Sequence, residues 1–455
     1  MARMARSRAG RAAQLGGLAG TQAARFAAQK TGDLVRSDAR AEAAARARRT
    51  LLTQQLVATL GTMRGVAMKL GQILSLVDIG IVGPENRAVF QTALATLQDN
   101  APRVPWTEMR GHLEGELGGP LDEVFAEFEP EPVAAASIGQ VYRARLGDGR
   151  QVAVKIQYPG IEAAVLADLK NLRTLLTVYR FVHPALDTSA LADEFEERMH
   201  EELDYRIEAR HTGLLAGAHC GHPFIRIPDV VESLSGRRVL VTEWIDGRPL
   251  RDIYTGPQKE RNRVAEIVFR FYAGTPYRLH HYSGDPHPGN LLLLDDGAVG
   301  FLDFGLCKTI DARTAETELA VLRAGIDGDA ALVLELMESR GFARGSKMSE
   351  QAAYDTFLRV FGWYLRDREA DISPENVKDL VALLSRSGDS AGVSVRPFNL
   401  PADHVLRGRA EVQLLAILAQ LEPRMNLHTI AREWIFDAPP VTELGRAQRE
   451  WELRR

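Results

Sequence analysis

Two short polar motifs on either side of a predicted β-hairpin constrain this chain more than any other feature. The first motif, DPHPGN, runs from Asp285 to Asn290, and the second, DFG, begins at Asp303. Two apolar runs lie between them, joined by the turn sequence Asp295-Asp296-Gly297, which predicts a hairpin. An acid and an amide are therefore expected just before this hairpin, and a second acid at its end.

The spacing of these residues matches what phosphoryl transfer requires, namely metal ions on the phosphate oxygens and a carboxylate that orients the attacking group. In the catalytic loop of a kinase, the base Asp precedes a metal-binding Asn by five residues, which is the separation of Asp285 and Asn290. A second metal-binding Asp follows in an Asp-Phe-Gly motif, as Asp303 does. We therefore predict Asp285 as the base or water-orienting group and Asn290 and Asp303 as Mg²⁺ ligands.

A second predicted hairpin carries a lysine suited to phosphate binding. The alternating runs GQVYRARL (139–146) and RQVAVKIQ (150–157) are joined by Gly147-Asp148-Gly149. Lys155 lies in the second run, where a strand holds its ammonium group as a fixed point charge. Lys155 is therefore predicted to contact the phosphates and joins Asp285 among the catalytic candidates.

The segment before this hairpin stands where a kinase has its glycine-rich phosphate loop. Only the last of the three glycines, Gly139, is present, and Ala134 and Ala136 occupy the other two places. Alanine resists the positive φ angles and the close backbone approach that glycine allows, so we expect a stiffer loop that holds the nucleotide differently. The predicted nucleotide-binding residues are Ala134, Ala136, Ser137, Gly139, Lys155 and Glu243.

The order of the patterns predicts the architecture. Residues 37–76 read as one long helical region, because apolar residues recur at three- and four-residue steps. They are Leu52, Leu56, Leu60, Met63, Val66, Leu70 and Ile73. A β-rich segment follows, including predicted strands over 226–231 and 237–244, and helical patterns dominate after a hinge near residues 244–249. This order predicts an α+β, bilobal, protein-kinase-like fold with an N-terminal helical extension.

Four features in order resemble the UbiB (ABC1-type) family of atypical protein-kinase-like proteins, over roughly residues 45–440. Lys69-Leu-Gly71-Gln72 resembles the family's KxGQ motif, and Glu202-Leu-Asp204 resembles its ExD motif. The Ala-rich loop and the DPHPGN and DFG motifs complete the set. KxGQ within an amphipathic helix is the most diagnostic of the four, because ordinary kinases lack it.

The resemblance implies that the KxGQ helix covers the active cleft and that its polar residues reach the ExD acids. Lys69, Gln72, Glu202 and Asp204 are accordingly regulatory candidates, and which acid pairs with Lys155 stays open. It further implies binding of ATP or ADP with Mg²⁺, an ATPase or phosphotransferase activity, and a role in quinone biosynthesis or membrane lipid homeostasis. The expected divisions are a basic tail (1–45), the KxGQ extension (46–105), an N-lobe (106–246), a C-lobe (247–440) and a charged tail (441–455).

Composition limits the classes of partner. The net charge of −4 gives no support to nucleic-acid binding, and two cysteines cannot build a disulfide framework. No run is long and apolar enough to span a bilayer. Residues 1–32 are basic and contain no acid, so a weak contact with an anionic membrane surface is an alternative to a disordered tail. The expected location is the cytoplasm, with peripheral attachment at the inner face of the membrane as an option, and the expected partners are an adenine nucleotide and quinone-pathway lipids and enzymes.

The sequence departs from the family pattern at two places, and two alternative functions stay open. Family members often have His two residues before the catalytic Asp, where this chain has Ser283, while His280 and His281 are out of register. They also often end in membrane-spanning helices, and this chain ends in a charged segment. The alternatives to an ATPase are a non-enzymatic, nucleotide-switched scaffold and a small-molecule phosphotransferase of the aminoglycoside or choline kinase type, which lacks KxGQ.

Overall fold

A computed structural model describes residues 104–179, 188–342, 348–377 and 402–455. The chain divides into two compact units. Of the described residues, unit 1 contains those of 104–149 and 154–204 together with Arg237–Val239, and unit 2 contains Arg150–Ala153, Tyr205–Gly236 and those of 240–455. The predicted N-terminal helix with Lys69 and Gln72 lies outside the described residues. The contacts place 205–236 with the C-terminal unit, and the five divisions expected from the sequence stay predictions.

A five-stranded sheet forms at the predicted N-terminal hairpin. Its order is β1-β3-β4-β6, and the short β2 pairs with β3. The strands are β1 (Phe125–Phe128), β2 (Ala134–Ala135), β3 (Gly139–Leu146), β4 (Gln151–Gln157) and β6 (Val239–Glu243). Along β4, Val152, Val154 and Ile156 are buried, whereas Lys155 on the opposite face is half-buried, as the alternation of the sequence predicts. The hairpin predicted at 139–157 is therefore confirmed.

Four helices complete the described part of unit 1. They are α1 (Trp106–Leu117), α2 (Leu121–Val124), α3 (Ile161–Tyr179) and α4 (Thr188–Glu202). Helix α1 ends at Gly118, whose φ of 77° is the left-handed conformation that commonly closes a helix and that glycine adopts without strain.

Unit 2 is mostly helical. Its helices are α5 (Tyr205–Ala218), α6 (Gln258–Phe269), α7 (Thr275–Leu279), α8 (Ala312–Asp327), α9 (Ala330–Ser339), α10 (Glu350–Leu365), α11 (Ala402–Leu421), α12 (Leu427–Ile435) and α13 (Glu443–Glu452). Its short strands are β5 (Ile225–Arg226), β7 (Arg248–Pro249), β8 (His281–Ser283), β9 (Leu291–Leu293), β10 (Val299–Phe301) and β11 (Cys307–Thr309). One sheet has the order β5-β10-β9-β7, and β8 pairs with β11.

The predicted strand over 226–231 is only partly formed. Strand β5 ends at Arg226, and an isolated bridge between Val230 and Thr242 follows. Pro228 explains the interruption, because proline has no N–H to donate to a ladder. The second predicted hairpin is confirmed, since β9 and β10 pair antiparallel with Phe301 opposite Leu291.

Aromatic and aliphatic side chains fill the core of unit 2. Phe271 packs on Phe301 with ring centroids 3.9 Å apart, and Phe269 meets Trp434 of α12 at 5.3 Å. This core packs the hairpin β9–β10 against α6 and against the π-helical turn, Arg270–Gly274, that follows α6 directly. The strands of unit 2 are short and form few ladder hydrogen bonds, so packing against the helices stabilises them.

A buried ion-pair network joins three helical segments of unit 2. The fully buried guanidinium of Arg270 bonds the carboxylate of Glu266 at 2.8 Å and that of Glu433 on α12 at 2.7 Å. It also donates to the hydroxyl of Thr442, which caps α13. Residues 441–455, expected as a charged tail, thus include a docked helix. Among the helices that the structure describes, none has the length and apolar character needed to cross a membrane.

Candidate functional site

A two-stranded ladder in unit 2 positions both acidic motifs. Strand β8 leads into the loop that begins at Asp285, and β11 follows directly after the Asp303 motif. In this ladder Cys307 lies opposite Ser283, and the N–H of Gly284 donates to the carbonyl of Leu306 at 2.6 Å. The loop and the motif are therefore tied together one residue before Asp285.

The hairpin β9–β10 brings Asn290 next to the Asp303 motif. The N–H of Leu302 donates to the carbonyl of Asn290 at 3.1 Å, so Asp303 follows a residue that is bonded to Asn290. The loop is closed locally, because His287 accepts from Gly289 N–H through Nδ1 at 3.1 Å. His287 thus stabilises the loop through a hydrogen bond to its own backbone.

Asp285 is almost completely buried and is held by a helix far away in sequence. Its Oδ1 atom accepts a hydrogen bond from Arg409 at 2.6 Å and another from Gln413 at 3.1 Å, both on α11. Only 8% of Asp285 and 2% of Arg409 are exposed. A charge-assisted bond in such a buried place fixes the carboxylate firmly.

Arg409 and Gln413 are not among the candidates predicted from the sequence. Their four-residue separation puts them on one face of a helix, which signals a common target. Nothing in the sequence indicates that this target is Asp285, because the contact spans 124 and 128 residues. Only the folded chain reveals it.

Helix α11 also carries a second buried ionic cluster close to the first. Arg407 lies over the rings of Tyr277 and Tyr282, with distances of 5.1 and 5.4 Å to their centroids. Burial raises the pKa of Glu411, although the positive charge of Arg407 partly opposes this effect. Helix α11 is therefore anchored to β8, through Tyr282, as well as to Asp285.

The Asn290 and Asp303 side chains suit a hard divalent cation. They offer an amide oxygen and a carboxylate, the ligand types that Mg²⁺ prefers. Both are half-buried, and the hydrogen bond from Leu302 to Asn290 keeps their backbones close together. One oxygen of Asp303, Oδ1, accepts the N–H of Gly305 at 3.0 Å, which orients the carboxylate. The residues present therefore fit the metal that the kinase-type spacing predicts.

The remaining candidates lie mostly in unit 1. Ala134 pairs with Val141, and the N–H of Ala136 donates to the carbonyl of Gly139 at 2.8 Å, so the Ala-rich segment is a tight hairpin. Ser137 is half-buried within this turn, and Lys155 lies on β4. Glu202 ends α4 and Asp204 follows it, both half-buried. Glu243 is the exposed last residue of β6 and belongs to unit 2.

The candidates thus fall into two groups, each described within its own unit. Unit 2 brings Asp285, Asn290 and Asp303 onto paired strands and their connecting loops. Lys69 and Gln72 lie outside the described residues, so their predicted regulatory contacts stay predictions.

Comparisons with known proteins show which family the chain belongs to. The ABC1 atypical kinase-like domain model matches residues 96–337. The uncharacterized protein slr0889 of Synechocystis is 33% identical over 65% of this chain and 75% of its own length. The mitochondrial atypical kinase COQ8B of Rattus norvegicus is 33% identical over 64% of this chain, and the match spans 55% of the rat protein.

A solved structure shows the same fold. It is the complex of Rv3197 with erythromycin from Mycobacterium tuberculosis, which is 31% identical, with a TM-score of 0.63, over 87% of this chain and 98% of the other. Together with the family model, this likeness confirms the kinase-like fold expected from the order of the motifs. The chain therefore belongs to the ABC1 atypical kinase-like family, which is the UbiB family that its motifs resemble.

Proposed function

We propose that this chain is a magnesium-dependent ATPase or phosphotransferase that binds an adenine nucleotide. One observation carries the proposal. The N–H of Leu302 donates to the carbonyl of Asn290, which holds Asn290 beside the Asp303 motif, and the strands that flank both motifs are paired next to the loop of Asp285. This arrangement holds oxygen ligands and a carboxylate near one another, which phosphoryl transfer requires.

Asp285 is the group that we propose orients the attacking hydroxyl or water. Arg409 and Gln413 hold its Oδ1 atom, so the direction of the carboxylate is set before substrate binds. A bound Mg²⁺ would supply positive charge at the phosphate oxygens, and Asn290 and Asp303 would hold it. Lys155 of unit 1 would contact the phosphates, and the hairpin at Ala134–Gly139 would contact the nucleotide.

The pathway is proposed from the relatives. The name of the rat protein places it among the COQ8 atypical kinases of mitochondria. The resemblance to UbiB proteins implies a role in quinone biosynthesis or lipid homeostasis, so we propose that the activity of this chain responds to a membrane surface or to a quinone precursor. A basic N-terminal segment would be attracted to anionic lipid.

The second candidate function is a nucleotide-switched scaffold. The observation that favours it is the burial of Asp285, whose Oδ1 is engaged by two side chains of α11. In such a protein, nucleotide binding would change the affinity for a partner by shifting the population between two states, without turnover.

The test is magnesium-dependent ATP hydrolysis by the purified chain, with and without anionic liposomes and a phenolic quinone-precursor mimic. Asp303→Asn removes the charge of a proposed metal ligand and should reduce turnover about 100-fold or more. The matched control is Asp295→Asn, the same change at an exposed position in the turn of the same hairpin, and it should keep wild-type turnover.

The outcomes separate the two candidates. Turnover that requires Asp303 and increases with lipid or phenol supports the ATPase. Tight nucleotide binding by calorimetry without turnover under any condition supports the scaffold. Equal turnover of the wild type and Asp303→Asn would overturn the assignment of the metal ligands.

A further inference from the structure

A cluster of His211, His281 and Cys307 lies within unit 2, apart from the oxygen ligands described above. Side chains alternate along a strand, and Cys307 lies opposite Ser283 while Thr309 lies opposite His281. His281 and Cys307 are therefore diagonal neighbours on one face of the β8–β11 ladder. His211 reaches them from α5, and its Nδ1 lies 3.2 Å from Nε2 of His281.

The distances within this cluster suit a tetrahedral metal ion. One ligand atom from each of the three residues lies within 4.8 Å of the others. Two nitrogens that bind one ion at about 2.0–2.1 Å with tetrahedral angles are about 3.3 Å apart, close to the 3.2 Å of the histidine pair. The thiolate would need about 3.6 Å to each nitrogen, which small side-chain rotations can provide.

Two of the three proposed ligands are shielded from solvent. His281 and Cys307 are buried, with 2% and 7% of each exposed. The Nε2 atom of His281, which would bind the metal, lies within hydrogen-bond distance of Nδ1 of His211, so a bound ion would take the place of this hydrogen bond.

The chemistry of the three ligands selects the kind of metal. Two imidazoles and one thiolate favour a borderline or soft ion such as Zn²⁺, whereas Mg²⁺ prefers oxygen ligands. Three protein ligands leave a fourth position for a water molecule. The thiol of Cys307 would lose its proton to solvent when the metal binds, because a thiol that coordinates such an ion is deprotonated.

We propose that His211, His281 and Cys307 form a site for a zinc-class transition-metal ion in this chain. The site would link α5 to both strands that position the acidic motifs, since His281 precedes Asp285 by four residues and Cys307 follows Asp303 by four. Its role is to brace the β8–β11 ladder. Metal binding at this site does not depend on nucleotide binding or turnover.

The test uses Co²⁺ as a spectroscopic probe of the full-length chain. The background is Cys220→Ser, which removes the exposed second cysteine and so excludes metal binding there. After treatment with a chelator, titration with Co²⁺ should give about one bound ion per chain, with the intense d–d bands of a tetrahedral site and a sulfur-to-cobalt charge-transfer band. Zn²⁺ should displace the Co²⁺ and abolish both signals.

Three variants in that background decide between outcomes. Cys307→Ser should abolish the charge-transfer band, and His211→Gln should weaken binding at least about tenfold. His219→Gln, a change at a histidine outside the cluster, should leave both signals unchanged. Circular dichroism checks that each variant is folded. If Co²⁺ fails to bind the Cys220→Ser chain, or if the charge-transfer band persists in a folded Cys307→Ser variant, the proposal is wrong.

Discussion

At the scale of single residues, the contact between Asp285 and Arg409 allows the effect of replacing Arg409 to be predicted. Replacement of Arg409 by Ala leaves a buried carboxylate without its charged partner, which costs about 3–5 kcal/mol where a buried ion pair is broken. We expect Arg409→Ala to lower both the free energy of unfolding, measured by urea denaturation, and the rate of ATP hydrolysis. Gln413→Ala should have a smaller effect, since it removes a neutral partner at 3.1 Å.

The double variant Asp285→Asn/Arg409→Ala separates stability from catalysis. Without the negative charge there is no unpaired carboxylate, so the double variant should regain stability relative to Arg409→Ala and still lack turnover. If Arg409→Ala alone hydrolyses ATP faster than the wild type, Arg409 restrains Asp285 instead of orienting it.

The sequence predicts which candidate residues lie close together where their spacing is local. Asp285 and Asn290 stand on one loop, and Asp303 follows one short hairpin, so the motif alone gave their neighbourhood. Arg409 could not be found in this way, because its position depends on how α11 packs in the folded unit. His281 shows the same limit, since its neighbours His211 and Cys307 are 70 and 26 residues away in the sequence.

At the scale of secondary-structure elements, a close contact between α11 and the loop that begins at Asp285 can be tested at Gly284. A Cβ atom at this glycine would lie 2.5 Å from Cγ of Leu406, so no side chain fits there without displacing the helix or the loop. We expect Gly284→Ala to destabilise the protein by about 1–3 kcal/mol, as overpacking does, and to reduce ATP hydrolysis by moving Asp285.

Leu406→Ala provides the matched rescue, because it removes the atoms that a methyl group at residue 284 would meet. The double variant Gly284→Ala/Leu406→Ala should recover part of the turnover lost in Gly284→Ala. Gly236→Ala is the control, since its Cβ would meet nothing within 4 Å. Equal losses at Gly284 and Gly236, by thermal unfolding and by turnover, would show that the α11 contact does not position the loop.

The elements themselves were predictable where a turn signal fixed the strand pairing. Both hairpins formed as expected, because Gly147-Asp148-Gly149 and Asp295-Asp296-Gly297 favour tight turns. The strand predicted over 226–231 formed only in part, since Pro228 removes a ladder donor. The packing of α13 could not be predicted from its own sequence, because most of its residues are charged and only a few, such as Leu444 and Gln448, are buried.

At the scale of the whole molecule, buried neutral histidines predict how the stability depends on pH. Burial lowers the pKa of His219 to about 4 and that of His222 to about 2. The unfolded chain binds a proton at each position near its ordinary pKa of about 6.5, whereas the native chain does not until the pH is much lower. The free energy of unfolding should therefore be highest above pH ~6.5 and fall as the pH decreases through the interval from about 6.5 to about 4.

His219→Asn tests this prediction at one residue. The Nδ1–H of His219 donates to the carbonyl of Leu215 at 2.9 Å, and an Asn amide can make a similar bond without titrating. A single histidine with this shift contributes on the order of 3 kcal/mol to the acid-side loss, so the slope of unfolding free energy against pH should be shallower by up to about one proton in the variant. Urea titrations between pH 4 and 8 measure the slope, and the exposed His200→Gln serves as the control. Helix α13 packs through Trp451 on both His219 and His222. A slope that stays the same in His219→Asn would mean that water reaches His219 in solution in spite of this packing.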